Sequence, residues 1–273
     1  MNLQKQSIYH TSESLSHAKH TSSLFEIINS PPGLRKINRS APKGAELVFS
    51  AYNENMLICI SCLPPEDALG LAFARAKRGD VICLHRSVIG RLDMKKELDG
   101  EQKTVLSLMR LSAITRSAVF CAVRAVIDDD RYDSVIVFEN GKLLGISDRI
   151  SPRAGFCEGN NLRCYDSPCG RTGVLVGRDF EYPQLWQPLI SSDCRRCIIF
   201  DERKLSPVDE KLLSSFSVCT GMTVFANFYD VSAAFTPDGA IRESAQGNFR
   251  LLCDDVETRK PRVLTSKPRL FRH

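Results

Sequence analysis

The pattern of apolar and polar positions changes character near Leu47. Residues 1–45 are rich in Ser, His, Lys and Pro, with one short apolar patch, and such a composition is typical of an extension without a packed core. From Leu47 onward, short apolar runs alternate with helical stretches. We therefore expect a folded body over residues 46–257, with residues 1–45 and 258–273 as flanking tails.

Short apolar runs in the body predict buried strands, and the stretches between them predict helices. The predicted strands are Met56–Cys62, Val81–Leu84, Ala118–Ile127, Thr172–Val176, Cys197–Phe200 and Thr223–Phe228. The predicted helices are Pro64–Lys77, Gln102–Thr115, Pro183–Ile190 and Val208–Val218. Strands that alternate with helices favour a mixed α/β structure in one domain.

Turn signals add hairpins to this alternation. Two β-rich runs, Ser134–Glu139 and Lys142–Ser147, are separated by Asn140-Gly141 alone, which is the strongest short-range hairpin signal. An acidic turn, Asp128-Asp129-Asp130, precedes them, and a Thr-Pro-Asp-Gly turn at 236–239 separates two later β-rich segments. We therefore expect mixed sheets rather than a purely parallel one.

Composition and charge exclude several classes of protein. With 43% hydrophobic and 25% charged residues, the chain is neither disordered nor collagenous. No apolar run is long enough to cross a membrane and no secretory signal opens the chain, so we expect a soluble, cytoplasmic protein without a membrane partner. Both tails are basic, but they carry no aromatic-interleaved motif, which disfavours nucleic-acid binding. An interaction module that uses these basic tails stays an alternative.

Eleven cysteines raise the question of disulfides and metals. Most of them lie in apolar runs and their number is odd, a pattern typical of buried free thiols in a reducing compartment. Two Cys-x-x-Cys pairs, Cys59/Cys62 and Cys194/Cys197, invite a zinc site. A spacing of three in a strand points side chains to opposite faces, which disfavours that site at the first pair. We expect no metal and no cofactor.

Several passages resemble the nitrilase, or carbon-nitrogen hydrolase, superfamily. In residues 156–186, a glycine-containing turn and an apolar strand lead to Gly177-Arg178-Asp179 and then to Tyr182-Pro183. Residues 77–86, 132–149 and 224–241 resemble other passages of the superfamily in the same order, so the likeness covers residues 55–256. It implies a four-layer α-β-β-α sandwich with two mixed β-sheets. It also implies a homo-oligomer, a dimer by analogy.

The positions that match the superfamily's catalytic triad are all replaced. The resemblance implies a Glu, Lys, Cys triad, and the aligned residues are Arg86, Arg149 and Gly177. Glycine offers no nucleophile, and a guanidinium does not lose its proton in proteins, so Arg86 cannot serve as a base. We therefore expect a catalytically degenerate protein, a pseudoenzyme that binds a small anionic ligand or a protein partner.

Two interpretations of the arginines stay open. In the first they are structural and pair with nearby acidic residues. The candidates for such pairing are Asp80, Asp148, Glu158 and Asp179. In the second, Arg86, Arg149 and Arg178 converge with Glu158 and Asp179 on the former active-site pocket, where arginine forks match carboxylate or phosphate groups.

An active enzyme also stays open as an alternative. It would be an amidase-type carbon-nitrogen hydrolase that acts on a non-peptide C–N bond, with another thiol replacing the missing nucleophile. The candidates are Cys169, at a turn before the strand, and Cys157, in the preceding loop. A reactive cysteine needs a base or a cationic neighbour, and the nearby arginines supply only the charge.

Overall fold

The computed structural model describes residues 56–167 and 170–253. Both tails named above, the start of the body at residues 46–55, and Cys169 lie outside the described residues.

Thirteen strands of the described ranges form two sheets. In chain order they are β1 Met56–Ile60, β2 Val81–Leu84, β3 Arg91–Asp93, β4 Ala118–Ile127, β5 Asp130–Glu139, β6 Lys142–Asp148, β7 Cys164–Ser167, β8 Gly170–Val176, β9 Arg196–Phe200, β10 Thr223–Asn227, β11 Val231–Phe235, β12 Ile241–Gln246 and β13 Phe249–Cys253. The first sheet has the order β13-β1-β2-β4-β5-β6, with β3 paired to β4, and the second has the order β12-β11-β10-β9-β8-β7. Each sheet is mixed, because β1, β2 and β4 run parallel, as do β8, β9 and β10, while the outer pairs are antiparallel.

Six α-helices in the part of the chain that the structure describes accompany these strands. They are α1 Pro65–Arg75, α2 Arg86–Ile89, α3 Met94–Leu98, α4 Thr104–Thr115, α5 Pro183–Ser191 and α6 Pro207–Thr220. Proline opens α1, α5 and α6, where its missing N–H costs nothing. The start of α6 also has a capping box, in which Ser206 and Asp209 satisfy each other's backbone N–H groups.

Three apolar clusters separate four layers. One lies between the two sheets and includes Phe120 and Phe225. A second packs α1 and α4 against the outer face of the first sheet, and includes Leu108. The third packs α5 and α6 against the outer face of the second sheet, and includes Trp186 and Leu213. The predicted four-layer α-β-β-α sandwich with two mixed sheets is confirmed.

The predicted elements agree with the structure, and the elements that were not predicted are short or lie at the edge of a sheet. The Asn140-Gly141 hairpin is present between β5 and β6. The acidic turn is tighter than expected, because Asp128 and Asp129 both have positive φ and β5 already begins at Asp130. This earlier start places Asp133 inside the sheet. The short elements α2, α3, β3 and β7, and the edge strand β13, were not predicted.

A membrane span can be checked directly on the helices of the described ranges. None of them is both long enough and apolar enough to cross a bilayer.

Candidate functional site

A cavity of about 250 Å³ opens where strands of both sheets end. It lies at the carboxyl ends of β2, β6, β8 and β9, the place where α/β folds commonly bind ligands. Its lining consists of His85, Arg86, Ala122, Val123, Asp133, Ser134, Arg149, Arg153, Val176, Gly177, Arg178, Phe200, Asp201, Glu202 and Arg203.

The three positions aligned with the triad meet in this cavity. Arg86 comes two residues after β2, Arg149 directly follows β6, and Gly177 directly follows β8. The structure thus places the three aligned positions around one cavity. Within residues 56–167 and 170–253, the lining includes neither a cysteine nor a lysine.

Arg149 fills the space in front of Gly177. The glycine has φ +59°, and a Cβ built on it would lie 3.2 Å from both Cδ and Nη1 of Arg149. A side chain at this position would thus need the left-handed backbone that L-residues disfavour, and it would press on the guanidinium. The place from which a nucleophile would project is occupied by a cation.

Neutral groups hold the Arg149 guanidinium in place. Nε donates to Ser151 Oγ at 2.8 Å, and Nη2 donates to the Pro152 carbonyl at 3.2 Å. The carboxylate of Asp133 comes no closer than 3.9 Å to Nη1, and the side chain is only 9% exposed. The positive charge of Arg149 is therefore buried with weak compensation.

Arg86 is neutralised by two carboxylates. It forms ion pairs with Asp133 and Glu202, and Arg153 bridges the same two carboxylates at 2.6 and 2.5 Å. Burial lowers the pKa of Arg86, while Asp133 opposes that shift. The two arginines and two carboxylates form a closed ring of ion pairs, which we call the Arg86 ring.

The acidic residues considered as partners from the sequence lie elsewhere. The carboxylate of Asp80 accepts from the backbone N–H groups of Met56 and Lys77, and that of Asp148 accepts from Ser134 Oγ. Glu158 is exposed. Arg86 does form ion pairs, as the first interpretation expects, but its partners are Asp133 and Glu202.

Asp179 supports the cavity from behind rather than lining it. Its buried carboxylate accepts from the backbone N–H groups of Ile150 at 3.0 Å and Ser151 at 2.7 Å. Burial raises the pKa of this carboxyl group, although these hydrogen bonds oppose the shift. Asp179 thereby ties the turn after β8 to the segment that follows Arg149.

A second group of charges lies at the rim. Arg178 is 56% exposed and donates to Glu181, with Nη2 2.7 Å from Oε2. Arg203 pairs with Asp201 at 2.7 Å and with Glu181 at 3.1 Å. Of the three arginines expected in the pocket, Arg178 is thus the one most in contact with solvent.

His85 is a buried neutral group beside Arg86. Burial lowers its pKa to about 4. Nε2 lies 2.9 Å from the Asp201 carbonyl oxygen, so it donates, and Nδ1 accepts from the Ser87 N–H as the N-cap of α2. The imidazole therefore fixes the backbone on both sides of the cavity.

The alternative nucleophiles receive little support. Cys157 is half-buried and packs with the apolar cluster on the helix side of the first sheet, away from the cavity lining. Cys169 lies outside the described residues. No group of three or more His, Cys, Asp or Glu side chains in the described ranges is arranged to hold a metal ion.

Several of the lining residues were not identified from the sequence. These are Asp133, Arg153, Glu202 and Arg203, and the role of His85 as a helix cap was also not predicted. One signal was available for two of them. Glu202 and Arg203 are the second and third residues after the apolar strand β9, at the edge of the sheet where several strands end.

Comparisons with solved structures show the same fold in proteins of very different sequence. An amidase from Nesterenkonia sp. has a TM-score of 0.60 at 15% identity, covering 74% of this chain and 91% of the amidase. Nit3 of Saccharomyces cerevisiae, a member of branch 10 of the nitrilase superfamily, has a TM-score of 0.58 at 15% identity, covering 72% and 88%.

A third relative is a longer protein. The glutamine-dependent NAD+ synthetase of Acinetobacter baumannii has a TM-score of 0.59 at 13% identity, covering 72% of this chain but only 45% of the synthetase. No known family model matches the sequence. No curated protein matches it by sequence either. The resemblance to the nitrilase superfamily is therefore confirmed as a shared fold.

Proposed function

We propose that this nitrilase-fold chain binds a small anionic ligand in the cavity and does not hydrolyse C–N bonds by the triad route. The observation that carries the proposal is the Arg149 guanidinium, which lies against Gly177 and is held by neutral hydrogen-bond acceptors. A buried cation that is hydrogen-bonded to neutral acceptors, and whose ion pair with Asp133 is as long as 3.9 Å, gains from an incoming anion, and a guanidinium fork matches carboxylate and phosphate geometry.

The charge of the lining supports the same ligand class. The cavity is lined by five arginines but by only three carboxylates, those of Asp133, Asp201 and Glu202. The carboxylates are engaged by Arg86, Arg153 and Arg203, and Arg178 pairs with Glu181 at the rim, so the excess positive charge lies with Arg149. The volume of about 250 Å³ suits a small molecule such as a dicarboxylate or a phosphate.

Calorimetric titration with inorganic phosphate and with succinate tests the binding. We expect saturable binding of at least one of the two anions. Replacing a charged hydrogen-bond donor typically costs about 1.5–3 kcal/mol, so Arg149→Met should weaken binding about 10- to 100-fold. The matched control is Arg171→Met, a half-exposed arginine on β8 outside the cavity, which should leave affinity unchanged. No binding of either anion, or equal loss in both variants, would contradict the proposal.

The alternative is an active amidase-type hydrolase, and it is separated by ammonia release from a panel of amides and nitriles. We expect no release above the protein-free blank. Gly177→Cys should also release none, because Arg86 cannot take the proton of the new thiol. Turnover by the unmodified protein would restore the enzyme interpretation, and turnover by the variant alone would show that only the nucleophile is missing.

For assembly and compartment, we propose a cytoplasmic homodimer, by analogy of fold. The helices on the second sheet carry exposed apolar side chains that support a paired face, with Ile190 40% and Val208 74% exposed. Light scattering on the eluting peak of a sizing column measures the mass. A monomer at micromolar concentration would contradict this part of the proposal.

A further inference from the structure

Two cysteines that are distant in sequence lie side by side outside the cavity. Cys164 is the first residue of β7, and Cys194 lies in the loop between α5 and β9. Their Sγ atoms are 2.7 Å apart although 30 positions separate the residues. Both are free thiols. The fold brings them together because β7 pairs with β8 and β8 pairs with β9.

The two thiols are not equivalent. Cys164 is half-buried, and its pKa is lowered to about 7, mainly by the hydrogen bond with Cys194 and further by Ser192 and Arg171. Cys194 is buried, and its pKa is raised by its hydrogen bond with Cys164 and by burial. Because a small disulfide must reach the attacking thiolate, the more accessible Cys164 is the attacking sulfur and the buried Cys194 is the resolving one.

We propose that Cys164 and Cys194 form a redox-active dithiol, which a small disulfide such as oxidised glutathione converts into a reversible intramolecular disulfide. The Cys164 thiolate attacks one sulfur of the glutathione disulfide, forming a mixed disulfide and releasing a glutathione thiolate. Cys194 gives its proton to that thiolate and attacks the Cys164 sulfur, which releases the second glutathione as a thiolate. This thiolate takes up the proton that Cys164 lost to solvent.

The balance of the reaction is simple. Two cysteine thiols are oxidised to one disulfide, and one glutathione disulfide is reduced to two glutathione molecules. The reverse reaction uses reduced glutathione. The state of the pair therefore follows the ratio of the two glutathione forms around the protein.

The nearby Cys197 is excluded as a partner by its surroundings. It forms a Cys-x-x-Cys motif with Cys194, but it lies fully buried in the apolar cluster beneath α5 and α6. Burial raises its pKa well above that of an ordinary thiol. The redox pair is thus set by the sheet rather than by the sequence motif.

A disulfide between Cys164 and Cys194 would close a loop that carries three of the cavity's lining residues, Val176, Gly177 and Arg178. The enclosed segment includes β8, the turn at Gly177 and helix α5. Closing a loop of this size constrains the unfolded chain, so the oxidised protein should melt roughly 5 °C or more above the reduced protein.

The experiment equilibrates the full chain in buffers of graded oxidised-to-reduced glutathione ratio. Remaining thiols are trapped by alkylation, and the protein is digested without reduction for peptide mapping by mass spectrometry. We expect a linked pair of peptides, carrying Cys164 and Cys194 and two hydrogens lighter than the separate thiols, to rise with the ratio and to vanish on reduction with dithiothreitol. The melting temperature should rise in parallel.

Variants give the matched controls. Cys164→Ser and Cys194→Ser should abolish both the linked peptides and the rise in melting temperature, whereas Cys219→Ser, at an exposed thiol on α6, should change neither. The proposal is overturned if Cys164 and Cys194 stay fully alkylated at ratios that glutathionylate Cys219. It is also overturned if Cys194 links to Cys197 instead. The unmodified protein alone decides this, so the test holds even if a variant does not fold.

Discussion

Arg86 and Arg149 both reach the cavity from the ends of strands, yet their charges are met in different ways. Arg86 is held in a ring with Asp133, Glu202 and Arg153. Arg149 is held by a hydroxyl and a carbonyl, and the nearest oxygen of Asp133 is 3.9 Å from its Nη1. Both arginines replace triad residues in the sequence comparison, yet one is surrounded by carboxylates and the other by neutral hydrogen-bond acceptors.

This difference suggests different roles for the two arginines: Arg86 is a structural cation, whereas the positive charge of Arg149 can attract an anionic ligand. The charge of a guanidinium in a closed ring of ion pairs is already neutralised by carboxylates. Removing one of those carboxylates leaves positive charge without compensation. A guanidinium held by neutral acceptors keeps its pull on an incoming anion. We therefore expect the proposed ligand to bind at Arg149 and the ion pairs of Arg86 to stabilise the fold, and the predictions below test that division.

The largest expected effect is the loss of the carboxylate shared by the Arg86 ring. Asp133 is only 4% exposed, so Asp133→Asn leaves the partly buried guanidinium groups of Arg86 and Arg153 with Glu202 alone and should lower the free energy of unfolding by up to about 3–5 kcal/mol. Denaturant unfolding measures this. The control is Asp166→Asn, at a carboxylate that is 86% exposed, which should cost at most about 0.5 kcal/mol. Equal effects in the two variants would end the distinction between ring and surface pair.

Lowering the pH should destabilise the folded protein through protonation of His85, which lies beside Arg86. The folded-state pKa of about 4 lies below the ordinary value of 6.5, so the unfolded chain binds more protons between these values. Stability that is fully present above pH 6.5 should be lost as the pH falls towards 4, by up to about 3 kcal/mol. Unfolding curves across this range, compared with His85→Gln, measure the contribution. Parallel pH profiles for the two proteins would contradict it.

The contact between Arg149 and Gly177 predicts a smaller effect. Gly177→Ala meets both a positive φ and the guanidinium, whereas Gly221→Ala meets a positive φ of 70° and open space. The first should therefore cost about 1 kcal/mol more than the second. In the double variant with Arg149→Ala, which removes the side chain beyond Cβ, this excess should disappear. An excess that survives the removal of Arg149 would show that the guanidinium does not occupy that space.

The smallest effect is expected at the rim. Arg178 is 56% exposed and pairs only at the surface with Glu181, so Arg178→Gln should change the free energy of unfolding by less than about 0.5 kcal/mol. Its effect on phosphate binding should shrink as salt is added, since exposed charges are screened. A salt-independent loss of binding equal to that of Arg149→Met would move the ligand to the rim.

The sequence predicted the fold well because its main signals are local. The apolar runs of β2 and β4 match the observed strands in both ends, and the Asn140-Gly141 turn sets its hairpin without help from distant residues. Patterns of this kind fix which face of a strand is buried. The edge strand β13 was missed, because its pairing with β1 depends on a contact across the whole chain.

The sequence identifies the positions that correspond to the triad but not the residues that surround them in the fold. Gly177, Arg86 and Arg149 could be grouped because the resemblance to the nitrilase superfamily aligns them with one catalytic triad. The partners of Arg86 could not be found, because Asp133 and Glu202 come from β5 and the end of β9, and only tertiary packing brings them to one ring. The same holds for Cys164 and Cys194, whose proximity depends on the pairing of three strands.

The most direct test of the account is a crystal structure of the protein soaked in phosphate or succinate. It should show an anion in the cavity with its oxygens on the Arg149 guanidinium, while the Arg86 ring stays closed. An empty cavity after soaking at saturating concentration, or a thiol, a carboxylate and an amine gathered where Arg149 is expected, would contradict it.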